Sequence, residues 1–199
     1  MSFFHPDLKA VRLKLVYVGP PGSGKSSILA LLRQRQRGYE APAALQQAFR
    51  EIETSHPVVS DASVRAACDH VEFEAPLRDH VVRAVLLALP RWPEDDLRRR
   101  VLLDAADAVF FVADSSPSCL EANRRWMDHL RADLSSLTAT TKGAQIVVHY
   151  HKRDQPGVVP VAQLADALNA AALPGIESSC VTGQGVFDGL RIALKTALG

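Results

Sequence analysis

Residues 19–26 have the composition and spacing of a phosphate-binding loop. They read Gly-Pro-Pro-Gly-Ser-Gly-Lys-Ser and match the pattern G-x-x-x-x-G-K-[ST]. Glycines let the backbone wrap closely, so that successive N–H groups point at an anion, and the following helix adds a partial positive charge. The lysine supplies a mobile charge for the β- and γ-phosphates, and the serine after it supplies a hydroxyl for Mg²⁺. The predicted phosphate-binding residues are Gly19, Pro21, Gly22, Ser23, Gly24, Lys25, Ser26 and Ser27, with Ser26 as the metal ligand.

The context of this loop favours a nucleoside triphosphate site over the alternative, a glycine-rich turn with a surface lysine. An apolar run at residues 13–18 precedes the loop, and a helical pattern at 27–35 follows it and stops at Gly38. Strand, loop and helix therefore come in the order that phosphate binding requires. The loop leaves open which nucleotide is bound and whether it is hydrolysed.

Two later segments follow predicted strands and could recognise a purine base. The first, residues 151–154, ends in Asp154, which can accept from both the N1–H and the exocyclic amine of guanine. Adenine offers no such pair of donors, so this aspartate predicts GTP rather than ATP. In the second segment, residues 178–181, a backbone N–H can donate to guanine O6. The predicted guanine-binding residues are His151, Lys152, Asp154, Ser179, Cys180 and Val181.

Apolar runs alternate with helical patterns along the chain, which predicts an α/β fold: a parallel sheet with helices on both faces. The predicted strands are residues 13–18, 71–75 (an edge strand), 81–89, 108–113, 145–150 and 176–180. The predicted helices after the first are 97–107, one beginning at 117, 161–171 and 186–198, with a less certain short helix at 43–53. Ligands bind at the carboxyl ends of such strands, where the motif loops fall.

Composition limits the classes of function. A chain of 199 residues fits a single domain spanning 1–199, and 23 basic against 22 acidic side chains give no basic field for nucleic acid. Three scattered cysteines predict free thiols in a reducing cytoplasm. The sequence has no run of 18 consecutive apolar residues and no apparent signal sequence or lipidation motif, so we expect a cytoplasmic protein without a direct membrane anchor.

Four segments together resemble a small GTPase of the Ras superfamily, and specifically the bacterial MglA-like family of gliding-motility and cell-polarity proteins. They are LVYVGPPGSGKSS (15–27), DAADAVFFVADSSPSCLEAN (104–123), VVHYHKRDQPGVV (147–159) and CVTGQGVFDGL (180–190). The resemblance implies a P-loop NTPase fold with a mostly parallel six-stranded sheet, and a GTP/GDP switch that uses Mg²⁺. It also implies a Roadblock/LC7-type (MglB-like) regulator and protein effectors as partners.

Two motifs depart from the family pattern. The guanine motif is usually Asn-Lys-x-Asp, and His151 stands at its first position. The family carries Asp-x-x-Gly-Gln or Thr-x-Pro-Gly-Gln after the strand at 81–89, whereas this chain reads Ala88-Leu-Pro-Arg-Trp. Alanine cannot hold a Mg²⁺-bound water, and Trp92 replaces the glutamine that orients the attacking water. With Pro90, Arg91 and Trp92 as the second switch, we expect slow or partner-dependent hydrolysis.

The sequence assigns no catalytic group. Arg50 and Arg65 could supply charge to the γ-phosphate, but solvated surface arginines are the favoured interpretation. Thr54 and Ser63 are candidate Mg²⁺ ligands of a first switch. Three hypotheses remain: a regulatory GTPase, a nucleotide-binding pseudo-GTPase that acts as an interaction module, and an ATP-using enzyme such as a kinase. Asp154 and the lack of a predicted lid argue against the third.

Overall fold

The computed structural model describes residues 3–5, 10–38, 69–77, 80–88, 96–137 and 144–198. The strands are β1 (Phe3–His5), β2 (Ala10–Val18), β3 (Asp69–Leu77), β4 (His80–Ala88), β5 (Ala108–Asp114), β6 (Gln145–His151) and β7 (Gly175–Ser178). The helices are α1 (Lys25–Gly38), α2 (Asp96–Leu103), α3 (Leu120–Ser136), α4 (Val161–Ala167) and α5 (Val186–Leu198), and a 3₁₀ turn, Pro117–Cys119, leads into α3.

Six strands form one sheet in the order β3-β4-β2-β5-β6-β7, and the short β1 pairs with the beginning of β2. Strands β4, β2, β5, β6 and β7 run parallel to one another. β3 is an edge strand antiparallel to β4, as predicted from its alternating sequence. The predicted mostly parallel sheet is therefore confirmed, and the carboxyl ends of β2, β5, β6 and β7 meet at one edge.

The central strands are mainly apolar because helices cover both of their faces. Along β2, Val16 and Val18 pack with α2, α3 and α4, whereas Leu13, Leu15 and Tyr17 pack with α1 and α5. Every residue of β5 is buried. These two cores hold the strand ends in place beneath the loops that carry the motifs.

Two predicted helices end early. The helix expected at 97–107 ends at Leu103, since Ala105 has a φ of 53° and leaves the helical conformation. The Asp107 carboxylate then accepts the backbone N–H of Lys14 at 2.8 Å, which aligns β5 with β2. The helix expected at 161–171 ends at Ala167, before Asn169 with its φ of 48°.

Smaller differences concern α3 and the last strand. In α3, Met127 and Leu130 are fully buried, whereas Trp126 only borders the core. The last strand ends at Ser178 rather than at residue 180, so the segment that follows is loop. The short helix considered at 43–53 lies outside the described residues. Within the described ranges, no helix combines the length and apolar character needed to cross a bilayer.

Candidate nucleotide-binding site

The loop between β2 and α1 is shaped by three glycines with positive φ: 150° at Gly19, 76° at Gly22 and 106° at Gly24. A Cβ on Gly19 would collide with the carbonyl of Val112 in β5, and one on Gly24 with the ring of His151 in β6. A Cβ on Gly22 would meet nothing within 4 Å. Two glycines thus allow the loop to lie against neighbouring strands, and the third lies where the loop faces open space.

Lys25, the first residue of α1, is only 3% exposed. Its Nζ donates to the carbonyl oxygens of Gly19 at 2.8 Å and Pro20 at 2.9 Å, and burial lowers the pKa of this lysine to about 8. Because this ammonium group is kept from water and contacts only neutral acceptors, an approaching anion would stabilise its charge strongly. The residues therefore fit a phosphate group.

Three serines accompany the lysine. Ser26 and Ser27 are exposed in the first turn of α1, where the helix N-terminus carries partial positive charge. Ser23 is buried, and its Oγ has no hydrogen-bond partner within the described residues. A hydroxyl at Ser26 can serve Mg²⁺ when phosphate oxygens supply further ligands, because this cation prefers oxygen. Among the described residues, no group of three or more His, Cys, Asp or Glu could hold a metal by itself.

His151, the last residue of β6, lies against the phosphate loop. Its ring packs on Gly24, and its Nδ1 lies 2.9 Å from the Oγ of Ser178 at the end of β7. Burial, helped by the neighbouring Lys152 charge, lowers the pKa of His151 to about 4, so the imidazole is neutral at physiological pH. The structure therefore joins the first residue of the predicted guanine motif to the loop predicted to bind phosphate.

Lys152 is held by an aspartate that the sequence interpretation did not single out. Its Nζ donates to Asp114 Oδ2 at 2.6 Å, across 38 positions of sequence. The other oxygen, Oδ1, accepts the backbone N–H of Ser116 at 2.9 Å and its hydroxyl at 2.7 Å. Burial opposes ionisation of Asp114, but hydrogen bonds from Lys152 and Ser116 outweigh it and hold the carboxyl pKa below its usual range. The ion pair anchors Lys152, whose φ is 64°, beside the predicted base site.

Asp154 is exposed and connects the two predicted base loops. A hydrogen bond from the Ser179 hydroxyl lowers the pKa of Asp154 and keeps it ionised. The same Oγ accepts the backbone N–H groups of Val181 at 3.1 Å and Thr182 at 3.3 Å. Burial raises the pKa of the Cys180 thiol to about 11, so it stays protonated. This arrangement offers an ionised carboxylate beside a structured turn.

Arg153 secures the same loop to the sheet. Its Nε lies 2.8 Å from Glu177 Oε2 of β7, and its Nη1 donates to the carbonyl of Val159 at 2.7 Å. Arg153 therefore stabilises the loop through Glu177 and Val159, and we assign it no contact with the base.

Of the segment 88–92, which departs from the family pattern, the structure describes Ala88. Ala88, the last residue of β4, is fully buried and pairs in register with Tyr17 of β2 and Asp69 of β3. An apolar methyl group stands where the family carries a polar ligand for Mg²⁺-bound water. The remaining predicted residues lie outside the described part of the chain: Arg50, Thr54, Ser63, Arg65, Pro90, Arg91 and Trp92.

Sequence interpretation missed two side chains that hold this site together, Asp114 and Ser178. Both lie at strand carboxyl ends, the position that lines ligand sites in parallel sheets. That position is the signal that could have identified them, because a buried polar residue at a strand end needs a hydrogen-bond partner.

Comparison with known proteins gives full-length similarities. No protein-family model matches the chain. It is 29% identical over 202 residues to the mutual gliding-motility protein MglA of Myxococcus xanthus, covering 100% of this chain and 96% of that protein. It is 26% identical over 204 residues to the GTP-binding protein RHO2 of Saccharomyces cerevisiae, covering 96% of this chain and 91% of that protein.

A further similarity is to a larger protein. The chain is 26% identical over 185 residues to the mitochondrial 5-taurinomethyluridine-[tRNA] synthase subunit GTPB3 of Mus musculus, covering 92% of this chain but 33% of that protein. The resemblance to MglA-like small GTPases that the motifs predicted is confirmed by these alignments. The fold is the α/β fold of the P-loop NTPases, of the small-GTPase type.

Proposed function

We propose that this chain is a GTP-binding regulatory protein of the small-GTPase type, a single cytoplasmic domain over residues 1–199 that alternates between GTP and GDP. One observation carries the proposal. The loop that holds the buried Lys25 and the loop that presents the ionised Asp154 are joined by the contact between Gly24 and His151. Full-length similarity to MglA and to RHO2 supports the same function.

The phosphate end of the nucleotide would lie in the loop at 19–26. Backbone N–H groups around Gly22 and Gly24 would bind the phosphates, together with those of the first turn of α1, which includes Ser27. The Lys25 ammonium group would donate to the phosphate oxygens. The Ser26 hydroxyl would be the protein's ligand to Mg²⁺. When bound, Mg²⁺ neutralises charge on the β- and γ-phosphates.

The base would lie between the two loops that Ser179 joins. Asp154 would accept from the two guanine donors, and a backbone N–H of the segment at 179–181 would donate to O6. The Lys152 stem, anchored by Asp114, would cover one face of the ring. Specificity for guanine follows because adenine would leave the carboxylate unpaired.

Hydrolysis is proposed to be slow or partner-dependent. The buried methyl group of Ala88 offers no ligand for a Mg²⁺-bound water, and Trp92 cannot orient a nucleophile as glutamine does. A partner, or else Arg50 or Arg65, would have to supply the missing groups. A phosphate-release assay should give less than about one turnover per minute without a partner, and a faster rate would contradict this part of the proposal.

Ala88 also favours a second candidate, a pseudo-GTPase that binds nucleotide and recruits partners without hydrolysis. The two candidates differ in the nucleotide that accumulates. Purified protein should release GDP on denaturation if it is a switch, and GTP if it is a pseudo-GTPase, as identified by chromatography. ADP, or no nucleotide together with no binding by calorimetry, would contradict both.

We propose a Roadblock/LC7-type regulator of the MglB kind as partner, with protein effectors that read the GTP-bound state. Similarity to the mutual gliding-motility protein MglA supports a role in gliding motility or cell polarity. Phosphate release should accelerate when such a regulator is added to the GTP-loaded protein. An unchanged rate, with no complex formed in either nucleotide state, would contradict the assignment of this partner.

A further inference from the structure

Two buried histidines share one serine hydroxyl beneath the candidate site. Ser178 Oγ lies 2.9 Å from Nδ1 of His151 and 3.1 Å from Nδ1 of His149. The three residues are 0 to 2% exposed, so water does not compete for these bonds. Neither His149 nor the Ser178 side chain has a role in the proposed base and phosphate contacts.

Counting protons limits how this cluster can be arranged. Burial lowers the pKa of His149 to about 3 and that of His151 to about 4, so each imidazole is neutral and carries one N–H. If the hydroxyl donates its single proton to one Nδ1, the other Nδ1 must donate to Oγ. Both Nδ1–H groups could donate to Oγ only if the hydroxyl proton had another acceptor, and none lies within hydrogen-bond distance among the described residues. The two histidines therefore have opposite tautomers.

The surroundings decide which histidine has which tautomer. His149 Nε2 is buried without a hydrogen-bond partner in the described residues, and this side of its ring faces Gly189 of α5 so closely that a Cβ there would collide. An N–H at this atom would be an orphaned donor, which is rare in folded proteins. His151 Nε2 faces the phosphate loop instead, 2.7 Å from where a Cβ on Gly24 would lie.

The ring of His149 has little freedom to turn. It lies at 64° to Phe110 with centroids 5.4 Å apart, and 6.2 Å from the ring of Tyr17. Packing on three sides therefore fixes the position of its Nδ1, and through it the hydroxyl of Ser178.

We propose that Ser178 is a positioning residue that fixes His149 as the Nδ1–H tautomer and His151 as the Nε2–H tautomer, so that His151 presents a donor to the phosphate loop. The hydroxyl accepts from His149 and donates to His151. The expected effect on the rate of nucleotide release rests on the proposed function, but the assignment of the two tautomers does not.

The tautomers can be read in the full-length chain without added nucleotide, from the ¹⁵N chemical shifts of its imidazoles. We expect the proton on Nδ1 of His149 and on Nε2 of His151. Protons on the same nitrogen in both rings, or the reverse assignment, would overturn the proposal whether or not the protein binds GTP.

Ser178→Ala tests the positioning role, and Ser115→Ala is its matched control. Ser115 is a buried serine just after β5 whose Oγ has no hydrogen-bond partner in the described residues. Loss of Ser178 should give mixed His151 tautomers and release GDP about tenfold faster, the effect of one hydrogen bond. Ser115→Ala should leave both measurements as in the wild type.

Retention of the wild-type tautomers in Ser178→Ala, or an equal effect of Ser115→Ala on GDP release, would overturn the positioning role. If Ser178→Ala does not fold, the tautomers of the wild-type protein still decide the proposal.

Discussion

The charge of Lys25 is kept from water by the loop at residues 19–26. Replacing this lysine by alanine removes the donor proposed to contact the phosphates, so we expect GDP affinity to fall at least about 100-fold by calorimetry. Lys14→Ala is the matched control, because its Nζ also donates to a backbone carbonyl, that of Asp104 at 2.6 Å, away from the loop. Equal losses in the two variants would show that Lys25 acts through stability alone.

Asp154 tests the base assignment. In Asp154→Asn the amide presents a donor where the carboxylate accepted, so guanine should bind about 100-fold more weakly. Xanthine accepts through its O2, so xanthosine diphosphate should bind the variant better than the wild type. Asp128→Asn changes an exposed aspartate on α3 and should alter neither affinity. Unchanged preference for GDP over ADP in Asp154→Asn would remove this residue from the base site.

Functional residues in local motifs could be predicted from the sequence. Side-chain contacts between residues that are distant in sequence could not. The phosphate loop and the base contact of Asp154 could be predicted because their spacing in sequence is itself the signal. The bond from Lys152 to Asp114 and the shared hydroxyl of Ser178 depend on which strands are neighbours and on their register. That information lies in the packing of the sheet rather than in any short stretch of sequence.

The loop between β7 and α5 depends on close contact between backbones. Gly183 and Gly185 both have positive φ, 77° and 69°, but a Cβ collides with the carbonyl of Glu177 only at Gly185. Gly185→Ala should therefore lower the free energy of unfolding by about 2 kcal/mol more than Gly183→Ala, which carries backbone strain alone.

Chemical denaturation of the two glycine variants measures this difference. The displaced loop of Gly185→Ala should also weaken GDP binding, because it carries residues 179–182 beside Asp154. Equal stability of the two variants would contradict the close packing of this loop on β7.

The strands were easier to predict than the helix ends. β5 is apolar up to its last residue, Asp114, because both of its faces are covered, and its sequence indicates this directly. The end of α2 is decided by Ala105 and by the bond from Lys14 to the Asp107 carboxylate, a contact across 93 positions. Helical periodicity continues past that point, so the sequence pattern alone extended the helix too far.

The whole molecule should be sensitive to mild acid because it buries two neutral histidines. Their folded pKa values of about 3 and 4 lie below the usual 6.5, so the unfolded chain binds more protons between pH 6.5 and 4. The free energy of unfolding should thus fall as the pH falls through this range, with a slope approaching about 2.7 kcal/mol per pH unit.

Urea denaturation at pH 7, 6 and 5 would measure this slope. His151→Asn should reduce it by about half, because it removes one of the two buried imidazoles. A wild-type stability that stays constant between pH 6.5 and 5 would contradict the burial of two neutral imidazoles.

For the molecule as a whole, we propose that this fold holds a guanine nucleotide between the phosphate loop and the loop of Asp154. The most direct measurement is calorimetric titration of the nucleotide-free protein with GDP and with ADP, in the presence of Mg²⁺. We predict that GDP binds at least about 100-fold more tightly than ADP, because only guanine satisfies the Asp154 carboxylate. Equal affinities, tighter binding of ADP, or no binding of either nucleotide would contradict the claim.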